Sequence, residues 1–209
     1  MTGVDFIFII IILIFSVILH ELAHGYSALM LGDPTAKYSG RLTLNPLKHI
    51  DPFGSVILPL ILYILPGSLI FGWAKPVPYN PYNLRNQKWG EAIVAISGPL
   101  TNILIALVFG LIIRFGVSFS LVSDAFVNLS SIIVIMNIVL AIFNLVPIPP
   151  LDGSKILFSI LPTRFLALRS VFEQYGFILV LFFVLFLWRF ILPIVTWAFS
   201  LVTGIGLAL

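Results

Sequence analysis

The chain has 209 residues, of which 60% are hydrophobic and only 9% charged, and its mean hydropathy is +1.17. Soluble domains are about a quarter charged, so these values exclude a soluble globular protein and indicate a polytopic membrane protein. There is no cysteine, which removes disulfides, thiolate metal sites and cysteine nucleophiles. The net charge of +3 comes from basic residues set singly in loops, a pattern that orients a membrane protein rather than one that binds nucleic acid.

Residues 5–31 are the first expected span; without a basic n-region or a small-residue cleavage site, the segment is expected to remain as a helix rather than act as a removable signal. "GDPTAKYSGRLTLNPLKHIDP" follows, with turn signals at Gly32-Asp33-Pro34 and Asn45-Pro46 around an alternating stretch, 39–44, expected to be a short strand. Residues 53–72 are apolar but interrupted by Pro59, Pro66 and Gly67. That pattern predicts a re-entrant hairpin, because irregular backbone at membrane depth survives only when buried in protein or lining a wet cavity. A polar, proline-rich loop, "GWAKPVPYNPYNLRNQKWGE", leads to spans at 92–114 and 125–146. "PIPPLDGSK" then stops helix propagation, since prolines lack the backbone donor and fix φ. Residues 175–209 exceed one perpendicular span, and Trp188, Arg189 and Pro193 predict a tight turn dividing 175–189 from 193–209. The expected fold is all-α: about five transmembrane helices, a re-entrant hairpin and a short β element, in one membrane-embedded domain over 1–209 without internal repeats.

"SVILHELAHGYSALM" places three ionisable groups in the first span. His20 and His24, four residues apart, share one helix face and can ligate one metal ion through imidazole nitrogens. Glu21 lies beside them. In H-E-x-x-H the histidines hold zinc, which lowers the pKa of a bound water to about 7, and the glutamate takes the proton. Each ionisable residue at bilayer depth costs roughly 2.5 to 3.5 kcal/mol on insertion scales. A helix end facing interfacial water is the plainer reading. His20, however, lies about 21 Å beyond Phe6, inside a hydrocarbon core of about 30 Å.

A catalytic zinc needs a third protein ligand. Asp5, about 22 Å before His20 on the same helix, is too far. Glu91 and Asp124 are awkwardly placed, whereas His49, Asp51, Asp33 and Glu173 stay open on geometry. Asp152 follows a span on proline-rich backbone; it can equally be the N-cap of a helix over "GSKILFSIL". Topology separates these readings. His24 and Asp152 meet only if an even number of crossings lies between them, which holds when 53–72 does not cross. Lys37, Arg41, Lys48, Lys75, Arg85, Lys88, Lys155, Arg164 and Arg169 then share one side, opposite Arg114 and Arg189. The positive-inside rule makes the crowded side cytoplasmic.

With "HELAH" in the first span and "NLVPIPPLDG" after the 125–146 span, the sequence resembles the site-2 protease family of intramembrane zinc metalloproteases, in the short form without a PDZ domain. The resemblance implies one zinc ion on His20, His24 and Asp152, with Glu21 as general base. Through "SGPLTN" it implies that Asn102 contacts substrate, and through N-x-x-P-x-P-x-L-D-G it implies that Asn144 is a site residue. On the residues alone, Asn102 can instead bond a neighbouring helix, Asn144 can cap carbonyls freed by the prolines, and His49 reads as an interfacial loop residue. The expected activity is hydrolysis of a peptide bond in or near a transmembrane segment of another protein, in a prokaryotic cell membrane with the site toward the cytoplasm. Residues 39–44 or "AKPVPYN" are expected to offer an extended edge to the unwound substrate. The alternative is a membrane metal transporter or metal-binding protein using the same His/Asp cluster, in which Glu21 would be surplus.

Overall fold

The computed structural model describes residues 3–57, 74–162 and 165–206. Among these, seven α-helices follow in order: α1 (Gly3–Met30), α2 (Thr35–Tyr38), α3 (Gly90–Ser118), α4 (Asp124–Leu145), α5 (Asp152–Ile160), α6 (Leu166–Phe182) and α7 (Leu192–Thr203). Among the described residues, four stretches are long and apolar enough to cross a bilayer: Ile7–Met30, Gly90–Ser118, Asp124–Leu145 and Arg169–Phe190. The all-α membrane architecture is as expected. The fifth expected span contains α7, which at 12 residues is shorter than the about 20 needed for a perpendicular crossing.

Helix ends follow local chemistry. α1 closes at Gly32, whose φ of +103° suits a residue without Cβ. There Gly32 N–H donates to the Leu29 carbonyl at 3.1 Å and Asp33 N–H to the Ala28 carbonyl at 2.9 Å, satisfying two orphan carbonyls of the last turn. α4 starts where the Ser123 side chain accepts from Phe126 N–H. It stops before the run of prolines at 147, 149 and 150, where donors run out.

Two expectations need correction. Residues 39–44 pair with no strand among the described residues. Gly40 turns to a φ of +63°, Arg41 N–H donates to the Ala36 carbonyl at 3.0 Å, and the Thr43 carbonyl accepts from the His49 ring at 2.9 Å. The turn expected near 188–193 is not a reversal either. α6 runs through one wide π turn (Phe183–Leu187) and one tight 3₁₀ turn (Trp188–Phe190) into α7, with Phe183, Leu187, Trp188 and Ile191 all right-handed helical. Pro193 falls in the first turn of α7, where a missing N–H costs nothing, so it opens a helix instead of ending one.

Of the expected re-entrant segment 53–72, residues 58–72 lie outside the described residues. On either side of it the chain comes together: Lys75 N–H donates to the His49 carbonyl at 2.9 Å.

α3 is the central helix and packs against α1, α4, α5 and α7. Most of its buried positions are small or polar, among them Gly98, Asn102, Ala106 and Gly110, and small residues let neighbouring helices approach closely. Ala106 and Ile113 join Val134 and Ile138 of α4 and Val195 and Phe199 of α7 in an apolar cluster. Ser16, His20, His24, Asn102, Ser130 and Asn137 are buried, whereas Ile7, Ile11, Leu104, Val108 and Phe115 are exposed. Apolar outside and polar inside is the distribution a bilayer selects, because lipid solvates hydrocarbon and polar groups gain partners only within the bundle.

Candidate metal centre

α1 carries His20 and His24 on one face, and the start of α5 brings Asp152 against them. All three are buried, at 6%, 7% and 6% exposure. His20 Nε2 lies 3.1 Å from Asp152 Oδ2, His24 Nε2 lies 3.1 Å from the same oxygen, and the two Nε2 atoms are 3.0 Å apart. The other ring nitrogens face acceptors. His20 Nδ1–H donates to Asn102 Oδ1 at 2.6 Å and His24 Nδ1–H to the Val94 carbonyl at 2.7 Å. Both Nδ1 atoms therefore carry a proton, so that each ring in its neutral form turns its Nε2 lone pair toward a carboxylate oxygen and toward the other ring.

Three lone-pair atoms at such separations repel unless positive charge lies among them. One cation satisfies all three contacts at once. Ligand atoms about 2.0 to 2.1 Å from a tetrahedral zinc are about 3.3 Å apart, close to the triangle observed, and two imidazoles with one carboxylate match zinc's borderline character. The donor set therefore fits zinc.

Asp152 is the first residue of α5, and its side chain does not cap that helix. Oδ2 faces the histidines while Oδ1 accepts from Lys155 Nζ at 3.3 Å. The Lys155 ammonium on Oδ1 favours the ionised Asp152 carboxylate against the cost of burying it. Burial would likewise lower Lys155, but the adjacent carboxylate raises it above its ordinary value. The other candidates for third ligand are engaged elsewhere. Asp33 accepts from Thr35, Asn80 and Asn83; His49 donates to Thr43; Asp51 accepts from the backbone of Phe53 and Gly54; Glu173 pairs with Arg169.

Glu21 stands beside the triangle without joining it: Oε2 accepts from Val77 N–H at 2.7 Å. It lines a cleft of about 120 Å³ together with the triad, Val77, Tyr79, Asn144 and Lys155. Burial pushes the Tyr79 phenol above its ordinary value, leaving it a neutral donor. Asn144 is half-buried in the cleft wall, with Nδ2 donating to the Leu140 carbonyl at 2.9 Å.

Asn102, expected to contact substrate, lies inside the bundle. It is fully buried (0% exposed) behind His20, where its amide accepts from the ring and donates to Asn137 at 2.8 Å. Nor is the 74–80 segment an open edge. Pro76 and Pro78 have no N–H, Val77 N–H serves Glu21, Asn80 N–H serves Asp33, and the Lys75 and Pro76 carbonyls accept from buried Arg41. Sequence reasoning missed Asn137, Gly98, the Val94 carbonyl and the Arg41 clasp. Of these, Asn137 alone carried a signal, as a polar residue in mid-span.

The matches to known proteins agree with this geometry. Residues 119–187 match the model of peptidase family M50. YwhC of Bacillus subtilis (strain 168), named as a candidate zinc metalloprotease, is 39% identical over 83% of this chain and 78% of its own length. Rip2 of Mycolicibacterium smegmatis, named likewise, is 30% identical over 84% of this chain and 65% of its own length. Rip2 of Mycobacterium tuberculosis (strain H37Rv) is 27% identical over 89% and 70%. No solved structure matches the chain. A multi-pass helical protein with a buried His/His/Asp group beside a glutamate is of the zinc metalloprotease class. Within that class, the chain belongs to peptidase family M50.

Proposed function

We propose that this protein is an intramembrane metalloendopeptidase that hydrolyses a peptide bond in or near a transmembrane segment of another membrane protein, with its site opening toward the cytoplasm. In this reading His20, His24 and Asp152 hold one zinc ion, and Glu21 is the general base. The observation that carries it is the separation of roles in the cleft: three ligating atoms face one another, while a fourth ionisable group stands apart, tied to Val77. A metal-transport site has no use for that fourth group.

When bound, zinc supplies Lewis acidity that activates water and polarises a peptide carbonyl. The chain's own residues do the remainder. Glu21 accepts the proton of the attacking water and returns it to the leaving amide nitrogen. Val77 N–H holds Oε2 and so orients the carboxylate. The Tyr79 phenol and the Lys155 ammonium face the same cleft and provide donors for the carbonyl oxygen as charge develops on it. Asn144 lines the wall where substrate backbone would lie. A helical substrate hides its amides in its own hydrogen bonds, so it must unwind before entering. The proposed cytoplasmic opening draws support from the bond between Lys75 and His49, since 53–72 then begins and ends at one level of the bundle, and from the basic residues that this topology gathers on one side.

The test is co-expression with a panel of tagged single-span membrane proteins, comparing wild type with Glu21→Gln. A shortened product formed only by wild type, with about one zinc per chain in both proteins, is the expected result. Identical product patterns overturn the catalytic role of Glu21, and loss of zinc from Glu21→Gln makes it a ligand instead.

A further inference from the structure

Behind His20 a line of amides runs through the bundle, away from the cleft. Asn102 Nδ2 donates to Asn137 Oδ1 at 2.8 Å and, at a longer 3.4 Å, to the Ser16 carbonyl. Asn137 Nδ2 in turn donates to the Ile133 carbonyl at 2.9 Å and to Ser16 Oγ at 3.0 Å. Asn102 and Asn137 are both fully buried (0% exposed), and Ser16 is 4% exposed.

A primary amide can turn over and exchange its donor for its acceptor, and a neutral imidazole can carry its proton on either nitrogen. Here neither choice is free. The Ile133 carbonyl can only accept, so the NH₂ of Asn137 must face it and Oδ1 must face Asn102. Oδ1 can only accept, so the NH₂ of Asn102 faces Asn137 and its own Oδ1 faces His20. That oxygen can only accept, so the ring proton sits on Nδ1 and Nε2 is left bare toward His24 and Asp152. A backbone carbonyl on α4 thus dictates the free lone pair on α1, two side chains away. His24 reaches the same state in one step, from the Val94 carbonyl.

We infer that Asn137 is a positioning residue for the metal centre: it fixes the orientation of Asn102 and through it the tautomer and ring plane of His20. This rests on the reading of His20 as a zinc ligand. Groups that orient ligating histidines typically carry 10- to 100-fold in metal affinity. Because the Ser16 carbonyl backs the same orientation of Asn102, the effect at Asn137 belongs near tenfold.

The test uses the full chain in detergent. Zinc affinity is measured by competition with a chelator. Exchange of the His20 Nδ1 proton with water is measured in ¹⁵N-histidine-labelled, zinc-loaded protein, where assignment is simple because the chain has three histidines. Asn137→Leu keeps the branched heavy-atom skeleton and removes both donor and acceptor; it should weaken zinc binding about tenfold and speed the exchange. Asn137→Asp should bind zinc within about threefold of wild type, because a carboxyl buried there is protonated and keeps the two bonds that fix the relay, its O–H donating to the Ile133 carbonyl and its other oxygen accepting from Asn102, while the second donated bond, to Ser16 Oγ, is given up. If Asn137→Leu does not fold, Asn137→Ala takes its place, with the same expected result. Affinity and exchange unchanged in the apolar variant, or Asn137→Asp falling as far as Asn137→Leu, overturns the inference. A wild type that takes up no zinc overturns instead the metal reading on which it stands.

Discussion

Gly98 is the residue of "SGPLTN" that the geometry makes least replaceable. A Cβ built on it would lie 2.5 Å from His24 Nε2 and 2.6 Å from His20 Nε2, short of ordinary contact by about 0.9 Å. Gly98→Ala must therefore push α1 away from α3 or turn both imidazoles out of the triangle, and Asn102, one turn further along α3, would move with its helix. Misplacing a reacting group by about 1 Å can cost on the order of 100-fold, equivalent to about 2.7 kcal/mol of barrier. Helix propensity works the other way, favouring alanine by about 1 kcal/mol within a helix. The expected outcome is a folded protein with thermal stability near wild type, weakened zinc binding, and cleavage of an identified substrate lowered about 100-fold. Cleavage within a few-fold of wild type at equal zinc content would refute the argument, since the imidazoles would then have had room.

Asp152→Asn should weaken zinc binding by more than about tenfold and abolish cleavage, whereas a helix cap would tolerate it, Asn and Asp capping about equally well. Near-normal zinc content would send the third ligand elsewhere. Single cysteines at Lys48 and Lys88, in a chain with none of its own, should both label only from the cytoplasm and one at Ser120 only from outside; labelling of Lys48 and Lys88 from opposite sides would mean that 53–72 crosses the bilayer. Burial raises the Asp33 carboxyl, but hydrogen bonds from Thr35, Asn83 and Asn80 outweigh it and hold the group below its ordinary value. Its stabilisation is thus present above the unfolded value of about 3.9 and is lost as pH falls through the lower folded value. Melting temperatures followed from pH 6 down to pH 3 should accordingly drop more for wild type than for Asp33→Asn, and parallel curves would show that Asp33 contributes nothing to the acid transition.

The histidine pair of α1 was legible because its signal is local: i, i+4 spacing places two rings on one face whatever the rest of the chain does. The approach of Asp152 to those rings was legible for a different reason, since crossing parity and the distribution of basic residues limit which loops can meet. The long apolar helices followed from composition. Residues 39–44 misled because alternation alone does not make a strand; a partner must take the backbone groups, and here Gly40 turns the chain while Ala36 takes the Arg41 amide. Pro193 misled because proline both ends helices and starts them, and only the backbone before it decides which.

What the sequence could not show is which polar group faces which across helices. Asn102 carried two readings, substrate contact and helix-to-helix bond, because its depth in the span agrees with both. The choice depends on the rotation of α3 about its axis, and that is set by Gly98 allowing the imidazoles to approach and by Gly110 allowing Val202 of α7 to pack against α3 one turn and more beyond Ala106. With the rotation fixed, Asn102 turns inward and its amide becomes a link between α4 and α1. The wall of the cleft is then left to residues from the ends and loops: Val77 and Tyr79 from the proline-rich segment, Asn144 from the last turn of α4, Lys155 from α5. In the proposed function, the half of the site that admits an unwound peptide is thus built from a proline-rich loop and from helix ends beside prolines, while the half that holds a metal ion is built from helices whose buried amides and carbonyls leave each ring nitrogen one role.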